Sequence, residues 1–204
     1  MKTILHLSSS LFGDAGQSSR LAEEFVATQR LEHRGVTVIR RDLARDPVPH
    51  LDAARFAAFA SKPGARTAEQ QAVLDYSDAL IDELKRADTI VIGLPMYNFG
   101  LPSQLKAYFD HVARAGVTFR YTDKGAVGLL AGRKAYVFAA RGGLYAGTAK
   151  DTQTAYVRNF LAFLGIEDVE FVYAEGLAIS EASRTRSLAA AREALLRLVQ
   201  PLAA

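Results

Sequence analysis

The chain has 204 residues, of which 50% are hydrophobic and 23% charged, a length and composition suited to one large folded domain. It contains no cysteine, which excludes a disulfide framework, a thiolate nucleophile, thiolate zinc sites and protein-ligated iron–sulfur clusters, so any redox chemistry needs a bound cofactor. The excess of 25 Lys and Arg over 22 Asp and Glu is spread along the chain without a basic run, and no apolar stretch nears the ~20 residues of a membrane span, so neither nucleic acid nor membrane is expected as a partner.

The first element, Thr3–Leu7, reads as a buried strand. Its apolar run is broken by His6 and is shorter than the roughly 7–15-residue core of a signal peptide, so a cytoplasmic protein is expected. A helix follows, with Ser18 as N-cap and Leu21, Ala22, Phe25 and Val26 on one face. Val36–Asp42 is the second strand candidate, and Asp52–Ala60 a short Ala-rich helix within a proline-bearing connection. Thr67 to Gln70 spells a capping box, and Val73, Tyr76, Leu80 and Leu84 follow at helical spacing. Thr89–Leu94 is the third strand, and Leu105, Tyr108, Phe109 and Val112 form a helical stripe after Pro102. Gly116–Arg133 reads as a hairpin or a long loop around Lys124-Gly125. Lys134–Ala140 and Val169–Ala174 are the last two strands; Tyr156, Val157, Phe160, Leu161 and Leu164 mark the helix between them. The final helix carries Leu188, Ala191, Leu195, Leu198 and Leu202.

Regular alternation of strand and helix predicts an α/β fold, a doubly wound five-stranded parallel sheet with helices on both faces, spanning residues 1–204 as a single domain. Ligands of such sheets bind beyond the carboxyl ends of the strands, which nominates three loops. The first, Ser8–Ser18, is rich in hydroxyls and glycine and runs into a helix N-terminus; it either cradles a phosphate or simply makes a capped turn. It carries neither a G-x-x-x-x-G-K-[ST] phosphate loop nor G-x-G-x-x-G. The second, Pro95–Pro102, sets Tyr97, Asn98 and Phe99 between prolines and glycine, as a platform for a planar heteroaromatic ligand or as an exposed turn. The third, Arg141–Gly147, has the paired glycines Gly142 and Gly143, whose amides can approach a ligand and face negative charge developing on it.

These segments, together with Pro95–Phe99, PSQLK ending at Lys106, YFDHVARAGVTFRYT ending at Thr122, RGG and FLGIEDVEFVYAEG, closely resemble the FMN-dependent NAD(P)H azoreductases, a branch of the flavodoxin-like quinone reductases once labelled acyl-carrier-protein phosphodiesterases. The resemblance runs through nearly the whole chain. It implies non-covalent FMN, with Ser10, Gly16, Gln17 and Ser18 at the phosphate, Met96, Tyr97, Asn98 and Phe99 along the ring, and Ala140, Arg141, Gly142 and Gly143 near its pyrimidine side. It further implies NADH or NADPH as co-substrate and a quinone or azo compound as acceptor, reduced by two electrons in a ping-pong cycle. A homodimer is implied too, with Tyr121 and Phe163 walling an interfacial substrate slot; core or dimer packing is the other reading of both aromatics. The flavin carries the chemistry, so no catalytic side chain and no metal is implied. Three positions depart from the family pattern: Ala140 and Gly16 stand where relatives have Ser, and Tyr145 where some have His.

Two rival readings come from other classes. A phosphodiester hydrolase would call on metal-clamped carboxylates or a histidine relay, yet His6, His33, His50 and His111 fall on unrelated elements and no G-x-S-x-G elbow is present. A flavodoxin-like electron carrier without turnover would present a marked acidic face, against the formal charge of +3.

Overall fold

The computed structural model describes residues 2–199. Its strands are β1 (Thr3–Ser8), β2 (Thr37–Asp42), β3 (Thr89–Pro95), β4 (Phe119–Thr122), β5 (Gly125–Gly128), β6 (Lys134–Ala140) and β7 (Asp168–Ala174). The helices are α1 (Gln17–Glu32), α2 (Ala53–Phe59), α3 (Ala68–Arg86), α4 (Ser103–Val112), α5 (Thr152–Phe163) and α6 (Glu181–Val199). Leu202, expected on the last helix, lies outside the described residues.

Five strands pair in parallel in the order β2-β1-β3-β6-β7, the doubly wound flavodoxin-like arrangement expected from the alternation. The side-chain period of two sorts each strand between two layers. Leu5, Leu7, Ile90, Ile92, Leu94, Ala135 and Val137 face a core shared with α3, α4 and α5. Ile4, Val91 and Phe138 face the second core, with Leu21, Phe25 and Val26 of α1 and Ala191 and Leu195 of α6. The strand order reverses at β1 and β3, so a crevice opens beyond their carboxyl ends.

Gly93 brings α1 onto this crevice. A Cβ there would lie 3.2 Å from the Ser18 carbonyl oxygen, so only glycine lets the first turn of α1 settle this closely on β3. The cap of α1 differs from expectation: Gly16 is the N-cap, without a side-chain hydrogen bond, and Ser18 lies inside the first turn. Thr67 and Gln70 do form the reciprocal capping box of α3. Its buried face is nonetheless rotated from the expected stripe. Leu74, Ser77, Leu80, Ile81 and Leu84 point inward, and Tyr76 stays partly exposed, because the Ser77 hydroxyl turns in to donate to the His111 carbonyl at 2.7 Å.

The stretch Gly116–Arg133 contains the antiparallel hairpin β4–β5. It is tied to the far end of α5, where the Leu130 amide donates to the Leu164 carbonyl at 2.8 Å and Gly128 and Gly165 meet backbone to backbone.

Candidate active site

Three chain segments converge at the crevice. The loop after β1 is braced from below and from the side: the Ser9 hydroxyl donates to the Gly93 carbonyl at 3.0 Å, and the Leu11 amide donates to the Tyr97 hydroxyl at 3.0 Å. Ser10 accepts from the Phe12 amide through its hydroxyl at 3.2 Å. Gly16 comes so close that a Cβ on it would sit 2.2 Å from the Ser10 Oγ. This folding leaves the first amides of α1 pointing out of the helix end, where they have no intrahelical acceptor and carry the positive end of the dipole. Ser18 Oγ is buried among them and has no hydrogen-bond partner.

The loop after β3 is a tight hairpin. The Tyr97 and Gly100 amides donate to each other's carbonyls at 3.1 and 2.9 Å, and Asn98 and Phe99 between them have φ values of 50° and 64°. Positive φ at both central residues marks a type I′ turn, a strained choice for phenylalanine that places its exposed ring beside the crevice. There it meets the Tyr145 ring edge-on, with centroids 5.5 Å apart.

The loop after β6 is held from within. Arg141 is the largest fully buried side chain, and its guanidinium points away from solvent into a polar knot. It donates to Gln153 Oε1 at 3.2 Å, Glu175 Oε1 at 3.0 Å, Asp151 Oδ1 at 2.8 Å and Thr154 Oγ1 at 3.2 Å, and lies 5.1 Å from the Tyr173 ring centre. The carbonyls of Gly142 and Gly143 accept from the Ala178 and Gly176 amides, whereas among the described residues neither glycine's own amide has an acceptor.

A cavity of about 360 Å³ joins these parts. Of the expected cofactor residues, Ser10, Gly16, Gln17, Ser18, Met96, Tyr97, Ala140, Arg141 and Gly142 line it. Asn98, Phe99 and Gly143 lie on the same loops but outside its wall. Arg141 spends its polar groups on protein: its side chain bonds Gln153, Glu175, Asp151 and Thr154, its amide donates to the Ala174 carbonyl at 2.9 Å and its carbonyl accepts from the Leu177 amide at 3.1 Å. Phe12, Ala15 and Pro95, from the nominated loops, also line the cavity, as do Leu177 and Arg184, which fall outside those loops. The strand-end rule, applied to the loop after β7 as well, would have nominated the segment that brings Leu177.

Tyr121 and Phe163 do not reach the cavity of their own chain. Phe163 ends α5, whose start is at the crevice, and packs on Phe119 with ring centres 4.2 Å apart; Tyr121 stands 74% exposed on the hairpin beside it. A larger cavity, about 880 Å³, opens at the amino ends of the strands between Lys2, Asp88, Arg133, Lys134, Glu167 and Asp168. Its charges already answer one another, with Lys134 Nζ 3.3 Å from Asp168, and it lies at the end of the sheet where ligands do not bind, so the smaller crevice is the candidate site.

The family model described as a flavodoxin-like fold matches residues 2–199. A FMN-dependent NADH:quinone oxidoreductase of Alcanivorax borkumensis is 55% identical over 193 residues, covering 95% of this chain and 98% of the relative. One of the same description from Cellvibrio japonicus is 55% identical over 177 residues, 87% of this chain and 89% of the relative. The chain belongs to the flavodoxin-like FMN-dependent quinone reductase and azoreductase family. Among solved structures of this family, a FMN-dependent NADH-azoreductase from Bacillus anthracis in complex with FMN superposes with a TM-score of 0.86 at 30% identity, covering 98% of this chain and all (100%) of that one. An azoreductase from Bacillus anthracis superposes with a TM-score of 0.90 at 27% identity, covering 98% and 99%.

In this family member the histidines stay away from the crevice. His6 is buried on β1 with Nδ1 3.4 Å from Glu23, and burial holds it below its ordinary pKa despite that carboxylate. His111 is buried too, its Nδ1 3.0 Å from the Ala107 carbonyl, and burial lowers it likewise. Among the described residues no group of three or more His, Asp or Glu is placed to hold a metal ion, and no helix is long and apolar enough to cross a membrane.

Burial pushes the Asp151 carboxyl upward, but hydrogen bonds from Arg141 and from the Thr154 amide and hydroxyl outweigh it and leave the group below its ordinary value of 3.8. A carboxyl depressed by folding stabilises the fold fully above its unfolded pKa and loses that contribution as pH falls through the lower folded value. Chemical denaturation below pH 3.8 is therefore expected to show falling stability that Asp151→Asn does not share in full; identical pH slopes for the two proteins would contradict this.

Proposed function

We propose that this protein is an FMN-dependent oxidoreductase that uses NADH or NADPH to reduce quinones and azo compounds. The observation that carries the reading is the buried, unpartnered Ser18 hydroxyl at the open N-terminus of α1, in the wall of a cavity at the strand-order reversal. A phosphate monoester fits it: the α1 amides, Ser10, Gln17 and Ser18 supply donors and the helix dipole supplies field. The Pro95–Gly100 hairpin then offers Met96, Tyr97, Asn98 and Phe99 to the flat ring system, and the free amides of Gly142 and Gly143 suit its polar edge. When bound, FMN supplies hydride acceptance and two-electron donation, while the protein contributes position, donors and exclusion of water. Ala140 adds only its backbone here.

We read the whole chain as one such domain, cytoplasmic and working as a homodimer. Leu11, Phe12, Phe99 and Leu144 stay exposed around the crevice, an apolar rim that a second copy would cover. In that arrangement Tyr121 of one copy reaches the slot of the other, with Phe163 behind it as support. Neither a hydrolase nor a passive carrier gains support from this geometry.

The test is direct. The purified protein should be yellow, or turn so with FMN, and should oxidise NADH rapidly once a quinone is added. A colourless protein that neither takes up FMN nor oxidises NADH would end the reading. Ser18→Ala should weaken FMN binding by about tenfold, the value of one charge-assisted hydrogen bond, while riboflavin, which lacks the phosphate, should bind both proteins alike. Equal FMN affinity would remove Ser18 from the phosphate site.

A further inference from the structure

Arg141 and its neighbours form one connected set of polar bonds linking three loops that approach the crevice from different strands. Gln153 is fully buried at the start of α5 and uses both ends of its amide. Its Oε1 accepts from Arg141 Nε at 3.2 Å, and its Nε2 donates to the Pro95 carbonyl at 2.9 Å and the Gly100 carbonyl at 3.0 Å, the two ends of the type I′ hairpin segment. Thr152 adds a hydroxyl donated to the Phe99 carbonyl. On the other side, Glu175 Oε1 accepts from Arg141 Nη1 at 3.0 Å and also from the Tyr145 and Ala146 amides at 3.0 and 2.9 Å, pinning the loop after β6.

We propose that Arg141 is a positioning residue which, through Gln153 and Glu175, holds the Pro95–Gly100 hairpin and the Gly142–Ala146 loop at one separation and so sets the width of the ring slot. This rests on the FMN reading and adds to it a role for groups that touch no cofactor. Stability alone is a poor account of such a knot, because taking a guanidinium and two carboxylates out of water costs about what their attraction returns. A planar fork of donors does what neither a hydrocarbon nor a lysine can: it fixes the direction of several partners at once. The hairpin needs that hold, since Asn98 and Phe99 occupy backbone conformations that relax unless surroundings retain them.

The experiment compares wild type with Gln153→Glu, Gln153→Ala and Arg141→Lys. Gln153→Glu keeps an acceptor for Arg141 but sets a carboxylate oxygen against the Pro95 and Gly100 carbonyls; Arg141→Lys keeps the charge and loses the fork. Readouts are the apoprotein melt, FMN affinity by fluorescence titration, and the visible circular dichroism of the bound flavin, which senses how the ring is held. All three variants should melt cooperatively as apoproteins, bind FMN at least about tenfold more weakly, the Gln153 variants through the unpaired Pro95 and Gly100 carbonyls and Arg141→Lys through the lost fork to Gln153 and Glu175, and show an altered visible dichroism. Affinities within about twofold of wild type with an unchanged dichroic spectrum would overturn the proposal, leaving the knot a structural support. Loss of the apoprotein fold in all three would overturn it equally, since the knot would then serve the whole fold rather than the slot. If wild type itself bound no FMN, the functional reading would fail first and visibly.

Discussion

Arg141→Met is expected to destabilise the protein by about 3–5 kcal/mol, the cost of breaking a buried ion pair from one side. Methionine fills much of the space but leaves Asp151 and Glu175, whose side chains are only 7% and 13% exposed, with no counter-charge, and Gln153 Oε1 with no donor. For a chain of this length that corresponds to a fall in Tm on the order of 10 °C, readable by circular dichroism at pH 7. Adding Asp151→Asn and Glu175→Gln to the methionine variant should recover part of the loss, because the penalty comes from stranded carboxylates rather than from a missing attraction. A melt within about 2 °C of wild type, below one kcal/mol, would show that water reaches the knot and screens it.

Gly128→Ala should be the most damaging single-methyl change. A Cβ at residue 128 would lie 2.0 Å from the Gly165 nitrogen and 2.1 Å from the Leu164 carbonyl carbon, both backbone atoms that no rotamer change can move. The hairpin must then lift from the end of α5 and break the Leu130 to Leu164 hydrogen bond, which points to a loss of about 2–3 kcal/mol. The damage should be local: limited proteolysis should cut near the Asp123–Lys124 turn faster than in wild type. FMN affinity should stay close to wild type, since the crevice lies at the opposite end of α5. If Tyr121 serves a neighbouring copy, quinone turnover should fall while FMN stays bound. Unchanged proteolysis and stability would mean that the contact is absent in solution.

Much of the fold was legible because strand period, strand-to-helix alternation and the Thr67–Gln70 cap are local signals. Each central strand begins and ends within a residue of its expected bounds. The helix faces were less secure. Tyr76 counts as apolar in any stripe, yet Ser77 takes the inward position because a carbonyl of α4 needs its donor. At α1 a hydroxyl suggested the cap, while the chain enters the helix at Gly16 and leaves Ser18 to face the cavity. The site was legible as loops and not as contacts. The Arg141 partners stand 10 to 34 residues away in sequence, and no spacing rule selects Gln153 or Glu175 among the chain's many polar groups.

The sequence by itself determined the class of fold, the strand ends at which a ligand can bind, and, through the lack of cysteine, that redox chemistry must come from a bound group. Only the tertiary structure decided that the Arg141 side chain turns inward, that Phe163 packs in its own chain, and that Ser18 is left without a partner. The reason is physical. Periodicity and turn chemistry act over a few neighbouring residues, whereas the direction of a polar side chain at a strand end depends on which distant donors and acceptors the packed layers bring within 3 Å of it.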